Sequence, residues 1–474
     1  MAITNIIVPK VTTPAYNPVR WEIDSTNVNQ TGFRYVVDVY DSVPTKIGEF
    51  RLMPRVGDGY GEIDLSGLLK SYVNIDLDVA AVTSYDATNS YFEYGVEFGE
   101  EYNVSYTYAA FGNSGGYVQL TTVSTHAFVV GDQIDLTEGT PGTNPLLTGL
   151  HTITAQTATT LTLDIVYADL VSPSSGAGSV IYADNRKSIT RSMDLNSSFY
   201  VFNGVIPWID FRTYDDATYT LGTSSSKFLS NFPANYQITP DQDLWINWIP
   251  ATTSVRWLVF ENSNGDVLYK VVTSASGEWI IQESCGAGNS GTLTVSSGTN
   301  PLVKATTEWY DVYWADNILT QLSEKKRFTI DNRCKIEDFE VIFMDRLGSI
   351  GSFNFMNKAM EKGSISKQDY NQNIQGAPDG TSLDWTYETT ETGQKPFDIT
   401  VDKTFTLNTN WMTLEMNQYF EELLTSYYTY IKIDSVYQRC LVEEKGYETT
   451  RQRGKKLMKK SITVKLSNQD SLNG

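Results

Sequence analysis

Residues 327–358, RFTIDNRCKIEDFEVIFMDRLGSIGSFNFMNK, read as two strands joined by a tight turn. The run from 335 to 344 is rich in Ile, Phe and Val, which favour strands. The next four residues, Asp-Arg-Leu-Gly, have turn composition, and Gly348 can adopt a positive φ at no steric cost. Residues 349–355 then alternate between two faces, as a strand does. The sequence therefore predicts a β-hairpin in an all-β context.

The composition of the whole chain also favours strands over helices. Of its 474 residues 41% are hydrophobic, and Tyr (29) and Phe (20) are frequent, so a large core can form. Only one segment predicts a helix, with Asn410 as a plausible N-cap and Met416, Phe420 and Leu423 at helical spacing. A polar stretch, 364–392, lacks periodicity and predicts an extended arm or a long loop.

Strand spacing and composition divide the chain into tandem immunoglobulin- or fibronectin-like β-sandwiches and two further regions. Residues 1–85 predict an N-terminal sandwich. Residues 86–112 and 185–322 predict a second, discontinuous sandwich. Between them, residues 113–184 are rich in Thr, Gly, Ala and Ser, and we expect an inserted small β-barrel module. Residues 323–474 predict a β-rich C-terminal α+β domain with one helix.

The charge and the cysteines exclude several classes of function. The chain carries 36 basic and 56 acidic residues, a formal charge of −20, which repels nucleic acid and argues against sequence-specific binding to it. No run approaches the ~18 apolar residues of a transmembrane helix, and the N-terminus has no signal-peptide pattern, so we expect no membrane insertion. Cys285, Cys334 and Cys440 share no close spacing, which argues against a disulfide scaffold or a zinc site.

The residues that could carry catalysis or hold a metal form no convincing constellation. His126 and His151 both lie in the expected module, and Asp132 and Asp135 could join them, but a metal needs ligands that converge. We therefore expect satisfied histidines and predict no metal site and no cofactor.

Carboxylate pairs occur at 97–101, 215–216, 421–422 and 443–444, and all have the character of solvated surface runs. A glycosidase needs two carboxyls that converge in a cleft. The glycine-rich run 286–291 lacks the phosphate-binding pattern and predicts a flexible loop. We therefore predict no catalytic residues and a protein that is not an enzyme.

Tryptophans are dense between positions 208 and 314, and they favour a sandwich core over a sugar-stacking surface or a subunit interface. The strand TEWYDVYW, 307–314, has aromatic residues on both faces. It is therefore either buried on both sides or part of an interface, and Trp309 and Trp314 are candidate interface residues.

The segment RQRGKKLMKK, 451–460, has six basic residues and no acidic one. It is either a solvated hairpin turn or an arm that docks on an acidic neighbouring subunit. The second interpretation makes its basic residues candidate interface residues: Arg451, Arg453, Lys455, Lys456, Lys459 and Lys460.

Several segments together carry a family resemblance. FMDRLGSIGSFNF (343–355) resembles a segment of virion structural proteins of tailed bacteriophages, in particular the Bacteroidetes-phage type. PAYNPVRWEI (14–23), FRYVVDVYD (33–41) and IDLSGLLKSYV (63–73) resemble their N-terminal domains, in the same order. STHAFVVGDQIDL (124–136) begins a region that resembles a small β-barrel module of phage tail and fibre proteins.

This resemblance implies a non-enzymatic structural component of a virion, most simply of the tail or baseplate. Such a protein would be assembled in the host cytoplasm, form a homo-oligomeric ring and hold other tail proteins. One alternative is a host-adsorption protein that binds a surface glycan through the inserted module or an aromatic surface. The other is a virion-associated enzyme that degrades polysaccharide, which would need two converging carboxylates in an aromatic cleft.

Overall fold

The structure is a computed structural model and confirms the predicted fold class. Strands account for 52% and helices for 8% of it, in several separate sheets. It describes residues 3–471 except 31, 44, 76–84, 103–105, 127, 139–146, 170–177, 183–187, 251–254, 274–278, 291, 296–297, 334–337, 373–376, 379–384, 387–392, 445, 447–456 and 469.

The strands of the first part of the chain are β1 (Ile3–Ile7), β2 (Thr12–Pro14), β3 (Arg20–Ser25), β4 (Arg34–Asp41), β5 (Lys46–Leu52), β6 (Gly61–Asp64), β7 (Tyr85–Asp86), β8 (Tyr91–Tyr102), β9 (Tyr106–Ser114), β10 (Tyr117–Thr122), β11 (Gln133–Glu138), β12 (Gly149–Gln156), β13 (Thr160–Val166), β14 (Gly178–Tyr182) and β15 (Ser188–Phe202).

The strands that follow are β16 (Asn235–Ile238), β17 (Trp245–Trp248), β18 (Val255–Asn262), β19 (Val267–Thr273), β20 (Ile281–Ser284), β21 (Thr292–Val295), β22 (Gly298–Pro301), β23 (Trp309–Ala315), β24 (Lys326–Ile330), β25 (Phe339–Met344), β26 (Ile350–Phe355), β27 (Met360–Gln372), β28 (Ala377–Pro378), β29 (Trp385–Thr386), β30 (Gly393–Asn408), β31 (Thr429–Ile433), β32 (Val436–Val442), β33 (Ser461–Leu466) and β34 (Asp470–Ser471). The helices are α1 (Ser66–Leu69), α2 (Trp208–Phe211) and α3 (Leu414–Thr425), with 3-10 turns at Tyr167–Asp169 and Asp216–Tyr219.

The chain forms two compact units, each built from separated segments. Unit 1 comprises Met1–Val11, Pro18–Leu68 and Glu93–Tyr200. Unit 2 comprises Thr12–Asn17, Leu69–Phe92 and Val201–Gly474.

Unit 1 contains a sandwich of two sheets. One sheet has the order β1-β3-β6, and the other includes the run β15-β8-β4-β5. Trp21 of β3 is fully buried, with its ring 5.4 Å from Phe98 of β8 and 4.9 Å from Phe199 of β15. Large aromatic side chains therefore fill the space between the two sheets.

Strand β8 belongs to this N-terminal sandwich, whereas the sequence prediction placed residues 86–112 in the second one. It pairs antiparallel with β4, in a register that runs from Arg34 opposite Glu101 to Asp41 opposite Tyr94. The alternation of side chains between the two faces of β8 predicts a half-buried strand. It does not indicate which distant strand pairs with β8.

The region between β8 and β15 is a closed barrel with the order β10-β13-β12-β11-β14-β9. Apolar side chains from its strands form a core of their own, including Leu120, Ile134 and Leu163. The first barrel strand, β9, starts at Tyr106, ahead of position 113 where the sequence prediction began the module.

Unit 2 contains four further sheets. They have the orders β16-β24-β23-β18-β19-β21-β22, β17-β20-β7, β26-β25-β31-β32-β33-β30-β27 and β28-β29. Only β16 and β24 form a parallel pair among the strand pairs with a described register. The core of this unit is aromatic, with Tyr236, Phe328 and Tyr419 among its buried rings.

The predicted hairpin is confirmed, as β25 and β26. The turn between them, Asp345–Ser349, places Gly348 at φ 79°, and a Cβ there would lie 2.1 Å from the Asn203 carbonyl oxygen. Every residue of both strands is buried. This hairpin therefore has protein on both faces, which explains why apolar residues occur at consecutive positions.

The predicted helix is also present, but Asn410 is not its N-cap. Thr413 is the cap, because its side chain accepts a hydrogen bond from the backbone N–H of Met416. The preceding residue, Met412, is in an extended bridge with Met458, which holds the chain out of helical geometry up to that point.

The glycine-rich run 286–291 was expected as a flexible loop, but its described residues, 286–290, pack closely against the residue before β17. The Asn289 side-chain oxygen accepts hydrogen bonds from the N–H groups of Leu244 (3.2 Å) and Gly286 (3.0 Å). A Cβ at Gly286 would lie 2.3 Å from the Leu244 nitrogen. The glycine thus allows a close approach between two backbones.

Candidate functional site

Trp314, a candidate interface residue, lies in the core of unit 2. It has no exposed surface, and its ring centroid is 4.4 Å from that of Trp248. Residues 310–315 of β23 are all buried, so the structure matches the alternative in which this strand is buried on both sides. Trp314 is therefore not available to a partner in this structure.

Trp309, the second aromatic candidate, is half-buried at the start of β23. The Arg327 guanidinium lies 3.9 Å from its ring centroid and donates hydrogen bonds of 2.7 and 2.8 Å to the Asp311 carboxylate. A cation therefore covers one face of this tryptophan. Its place at a subunit interface stays a prediction.

Four of the basic candidates, Arg451, Arg453, Lys455 and Lys456, lie outside the described residues. The Lys459 ammonium lies 4.8 Å from the ring centroid of Trp411, which is 53% exposed. The Lys460 N–H donates to the Thr409 hydroxyl at 2.9 Å. The end of the basic segment is thus anchored beside an exposed aromatic ring.

The polar stretch expected as an extended arm contributes to a long two-stranded hairpin. Strand β27 pairs with β30 from Met360 opposite Thr406 to Gln372 opposite Gly393. Within the described part of the chain, β27 pairs with no other strand. We call residues 363–403 the arm; of these, and of the predicted stretch 364–392, residues 373–376, 379–384 and 387–392 lie outside the described residues.

The arm exposes apolar side chains on both of its faces. All side chains of β27 from 360 to 371 are exposed. The apolar ones include Ile365, which is 62% exposed, and Tyr370, which is 47% exposed, and on β30 Phe397 is 56% exposed. A two-stranded ribbon without a covered face is at best marginally stable in water.

Several carboxylates that the sequence places on the surface are buried. Glu100 and Glu101 are 2% and 6% exposed, and Glu422 is 4% exposed. Glu101 accepts a 2.7 Å hydrogen bond from Arg51, and Glu100 accepts one of 2.8 Å from Asn27. These members of the predicted surface runs are therefore held by hydrogen bonds in the protein interior.

Asp345, the first residue of the β25–β26 turn, and Glu422 of α3 form a buried acidic group. Asp345 accepts hydrogen bonds from the N–H groups of Asn231, Leu347 and Ser349 at 2.8–2.9 Å. Glu422 accepts one from the Arg346 N–H at 3.1 Å. Burial raises the pKa of both carboxyls, and the Glu422 charge adds to the rise at Asp345. Glu422 therefore ties the turn to α3, and Asp345 ties it to Asn231.

A second buried network joins Glu340 of β25 to Asp243. The Lys432 ammonium lies 2.5 Å from Asp243 and 3.4 Å from Glu340, and the Tyr437 hydroxyl donates to Asp243 at 2.7 Å. Burial raises the pKa of Glu340 to about 7. Sequence reasoning missed this network because its side-chain partners are between 92 and 194 residues apart.

The two histidines do not converge on a metal. His151 Nδ1 lies 3.6 Å from Asp164, and His126 Nε2 lies 3.3 Å from the Thr160 carbonyl oxygen. Among the described residues, no group of three or more His, Cys, Asp or Glu side chains is placed to hold a metal ion. In the same part of the chain, no helix is long and apolar enough to cross a membrane.

Comparisons with known proteins add little to this geometry. No protein-family model matches the chain. No curated protein sequence matches it. Among solved structures it is similar to the native conformation of E. coli alpha-2-macroglobulin, at 9% identity over 100% of this chain and 34% of that chain, with a TM-score of 0.15. The chain thus spans about a third of that protein's length, and a match at this TM-score does not bear on fold or function.

Proposed function

We propose that this chain is a non-enzymatic structural component of a tailed-bacteriophage virion, in its tail or baseplate. It assembles with copies of itself into a ring and holds neighbouring tail proteins. The sequence segments that resemble virion proteins support this proposal, and they are spread over most of the chain. The separate sheets and the closed barrel are compatible with it, because several modules on one chain can each meet a different neighbour.

The exposed arm is the observation that carries the proposal. Apart from Thr400 and Val401, which pair with β34, the parts of β27 and β30 in the arm form a two-stranded ribbon, which is at best marginally stable alone. Strand β27 also presents an unpaired edge among the described strands. Over its whole length, 363–403, the arm carries three lysines and seven acidic residues, a net charge of −4. Strands β27 and β30 alone are balanced, and the excess comes from Asp379, Asp384, Glu388 and Glu391 between them. Contact with a second copy therefore rests on the exposed apolar side chains and the open strand edge rather than on charge.

Removal of the arm tests the proposal. Lys362 is paired with Thr404, so an Asn-Gly turn can replace residues 363–403 and keep the β27–β30 ladder up to that pair. The replacement also removes Thr400 and Val401, the partners of the short strand β34. We expect the shortened protein to fold with an unchanged thermal midpoint for its main transition. We also expect sedimentation velocity to show a shift from oligomer to monomer, because the arm supplies the contact between copies.

A milder variant and a matched control separate assembly from folding. Ile365→Ser with Phe397→Ser removes two exposed apolar side chains, each worth about 1.5–3 kcal/mol if buried by a partner, so association should weaken by tenfold or more. Ser366→Ala on the same strand should leave association unchanged. A parent protein that is monomeric at micromolar concentration, or an armless protein that still assembles, would contradict the proposal.

A further inference from the structure

Unit 2 contains a cleft of about 370 Å³ between the segment that includes α2 and the β25–β26 turn. This volume lies within the range of small-molecule sites, about 300–1,000 Å³. The side chains of Tyr214 and Tyr219 line it, together with two acidic residues, Asp210 and Asp215, and two basic ones, Lys227 and Arg346. The cleft is independent of the arm and of the assembly role proposed above.

Tyr214 is the anchored tyrosine of the cleft. Its hydroxyl donates to the Thr12 carbonyl oxygen at 2.8 Å, which favours one position of the ring. Its ring stacks on Phe211 at 6.0 Å and on Tyr219 at 5.9 Å, with interplanar angles of 18° and 26°. Such a row of rings costs little ordering entropy when a ligand binds, because it is already formed.

The other side of the cleft is held by the backbone of the β25–β26 turn. The Arg346 carbonyl oxygen accepts a 2.8 Å hydrogen bond from the Val205 N–H, and the Arg346 N–H donates to Glu422 at 3.1 Å. The Arg346 side chain is 35% exposed, with its Nε 4.0 Å from Glu422. The guanidinium is therefore anchored and still reaches solvent.

Two charged groups in the cleft are uncommitted. The Asp210 carboxylate and the Lys227 ammonium make no hydrogen bond or ion pair with any residue that the structure describes, and both residues are exposed. They provide an acceptor and a donor that a ligand can use without breaking an internal contact.

The charged and aromatic side chains that line the cleft indicate which class of ligand it can bind. Two acidic and two basic residues give the lining no net charge, so neither a phosphate nor a cation is favoured. A purely apolar ligand would leave these polar groups unpaired, which costs binding energy. A sugar has hydroxyls that pair with carboxylates and cations, and C–H faces that stack on aromatic rings. The rings continue outwards to Trp208, which is 71% exposed and 6.2 Å from Phe211.

We propose that this cleft binds a neutral oligosaccharide, with one sugar inside against the tyrosines and the next towards Trp208. Asp210 accepts hydrogen bonds from ring hydroxyls, and Lys227 donates to them. No bond is made or broken, so the site is a binding site.

Titration of the full-length protein with neutral oligosaccharides tests this site. The probes are pentamers of α-1,4-glucose, β-1,4-glucose and β-1,4-N-acetylglucosamine, followed by intrinsic tryptophan fluorescence and calorimetry. We expect saturable binding of at least one of them. Asp210→Asn and Lys227→Ala should each weaken it tenfold or more, and Trp208→Ala should remove most of the fluorescence change.

Lys358→Ala, at an exposed lysine away from the cleft, is the matched control and should bind like the parent. If no probe binds at millimolar concentration, or if binding is the same in the Asp210 and Lys227 variants, the proposal is wrong. Binding of inorganic phosphate or a nucleotide in preference to the sugars would also overturn it. None of these results depends on the oligomeric state. The sugar-binding proposal and the assembly proposal can therefore be refuted independently.

Discussion

Glu421 and Glu422 are neighbours in the sequence, but they have different environments in α3. Glu422 faces inwards with Tyr419 and Leu423, whereas the apolar periodicity of the helix alone places both glutamates outside the buried face. Helical periodicity locates buried apolar residues such as Phe420 and Leu423 well, because an apolar side chain can be buried without a particular partner. A buried carboxylate depends on particular donors, here Arg346 and Asn231, which come from distant parts of the chain.

The buried acids predict a pH-dependent stability. Burial raises the pKa of Glu422 to about 7 and that of Asp345 to about 8, both above the ~4 of an unfolded chain. Between these values the folded state binds more protons than the unfolded state, so this contribution to stability is greatest below pH ~4 and is lost as pH rises through about 7–8. Glu422→Gln cannot ionise. Relative to the parent, it should gain about 2–3 kcal/mol of unfolding free energy between pH ~5 and pH ~9.

Urea unfolding at several pH values measures this difference. Glu415→Gln, on the exposed side of the same helix, is the matched control. A stability difference between Glu422→Gln and the parent that is constant over the whole pH range would show that Glu422 is already ionised in the folded protein.

At the scale of elements, local signals predict hairpins, while pairings over long distances remain hidden. The β25–β26 hairpin is set by its own turn, so the sequence predicts it, including the role of Gly348. The partner of β8 is β4, about 60 residues away, and its choice depends on packing against Trp21. For the same reason the burial of Trp314 depends on Trp248, and the sequence could only offer burial and an interface as alternatives.

The barrel is an element that should be separable from the rest of unit 1. Its first and last strands are neighbours, with Tyr106 opposite Val180 and Tyr108 opposite Gly178. The ends of the insertion therefore lie one strand spacing apart, and a short loop can close this gap at little entropic cost. Replacement of residues 107–179 by Asn-Gly should leave a soluble protein that unfolds cooperatively, because the barrel residues form a hydrophobic core separate from that of the sandwich.

Circular dichroism during urea unfolding measures the cooperativity of the shortened protein. Aggregation, or the loss of a cooperative transition, would show that the sandwich needs the barrel.

At the scale of the whole molecule, the charge of −20 is the main obstacle to assembly. Identical acidic subunits repel one another, so a closed ring requires that each copy offers a complementary patch. The basic segment 451–460 is a part of the chain that meets this requirement. The basic segment begins beyond the described residues and ends at Lys459 and Lys460, beside the exposed Trp411.

Reversal of the basic segment tests whether charge guides assembly. Changing Arg451, Arg453, Lys455 and Lys456 to Glu takes the net charge from −20 to −28, because each of four reversals adds −2. Each exposed ion pair is worth only about 0–1 kcal/mol and is screened by salt, so the four together should weaken association about tenfold to a hundredfold at low salt and less at high salt. The monomer should stay folded, and light scattering at both salt concentrations measures the oligomer mass.

The control reverses four other exposed residues, Lys70, Arg212, Lys227 and Lys358, and reaches the same net charge. If both variants lose assembly equally, total charge alone is responsible. If the segment variant assembles like the parent, residues 451–460 are a solvated turn and the contact between copies rests on the arm.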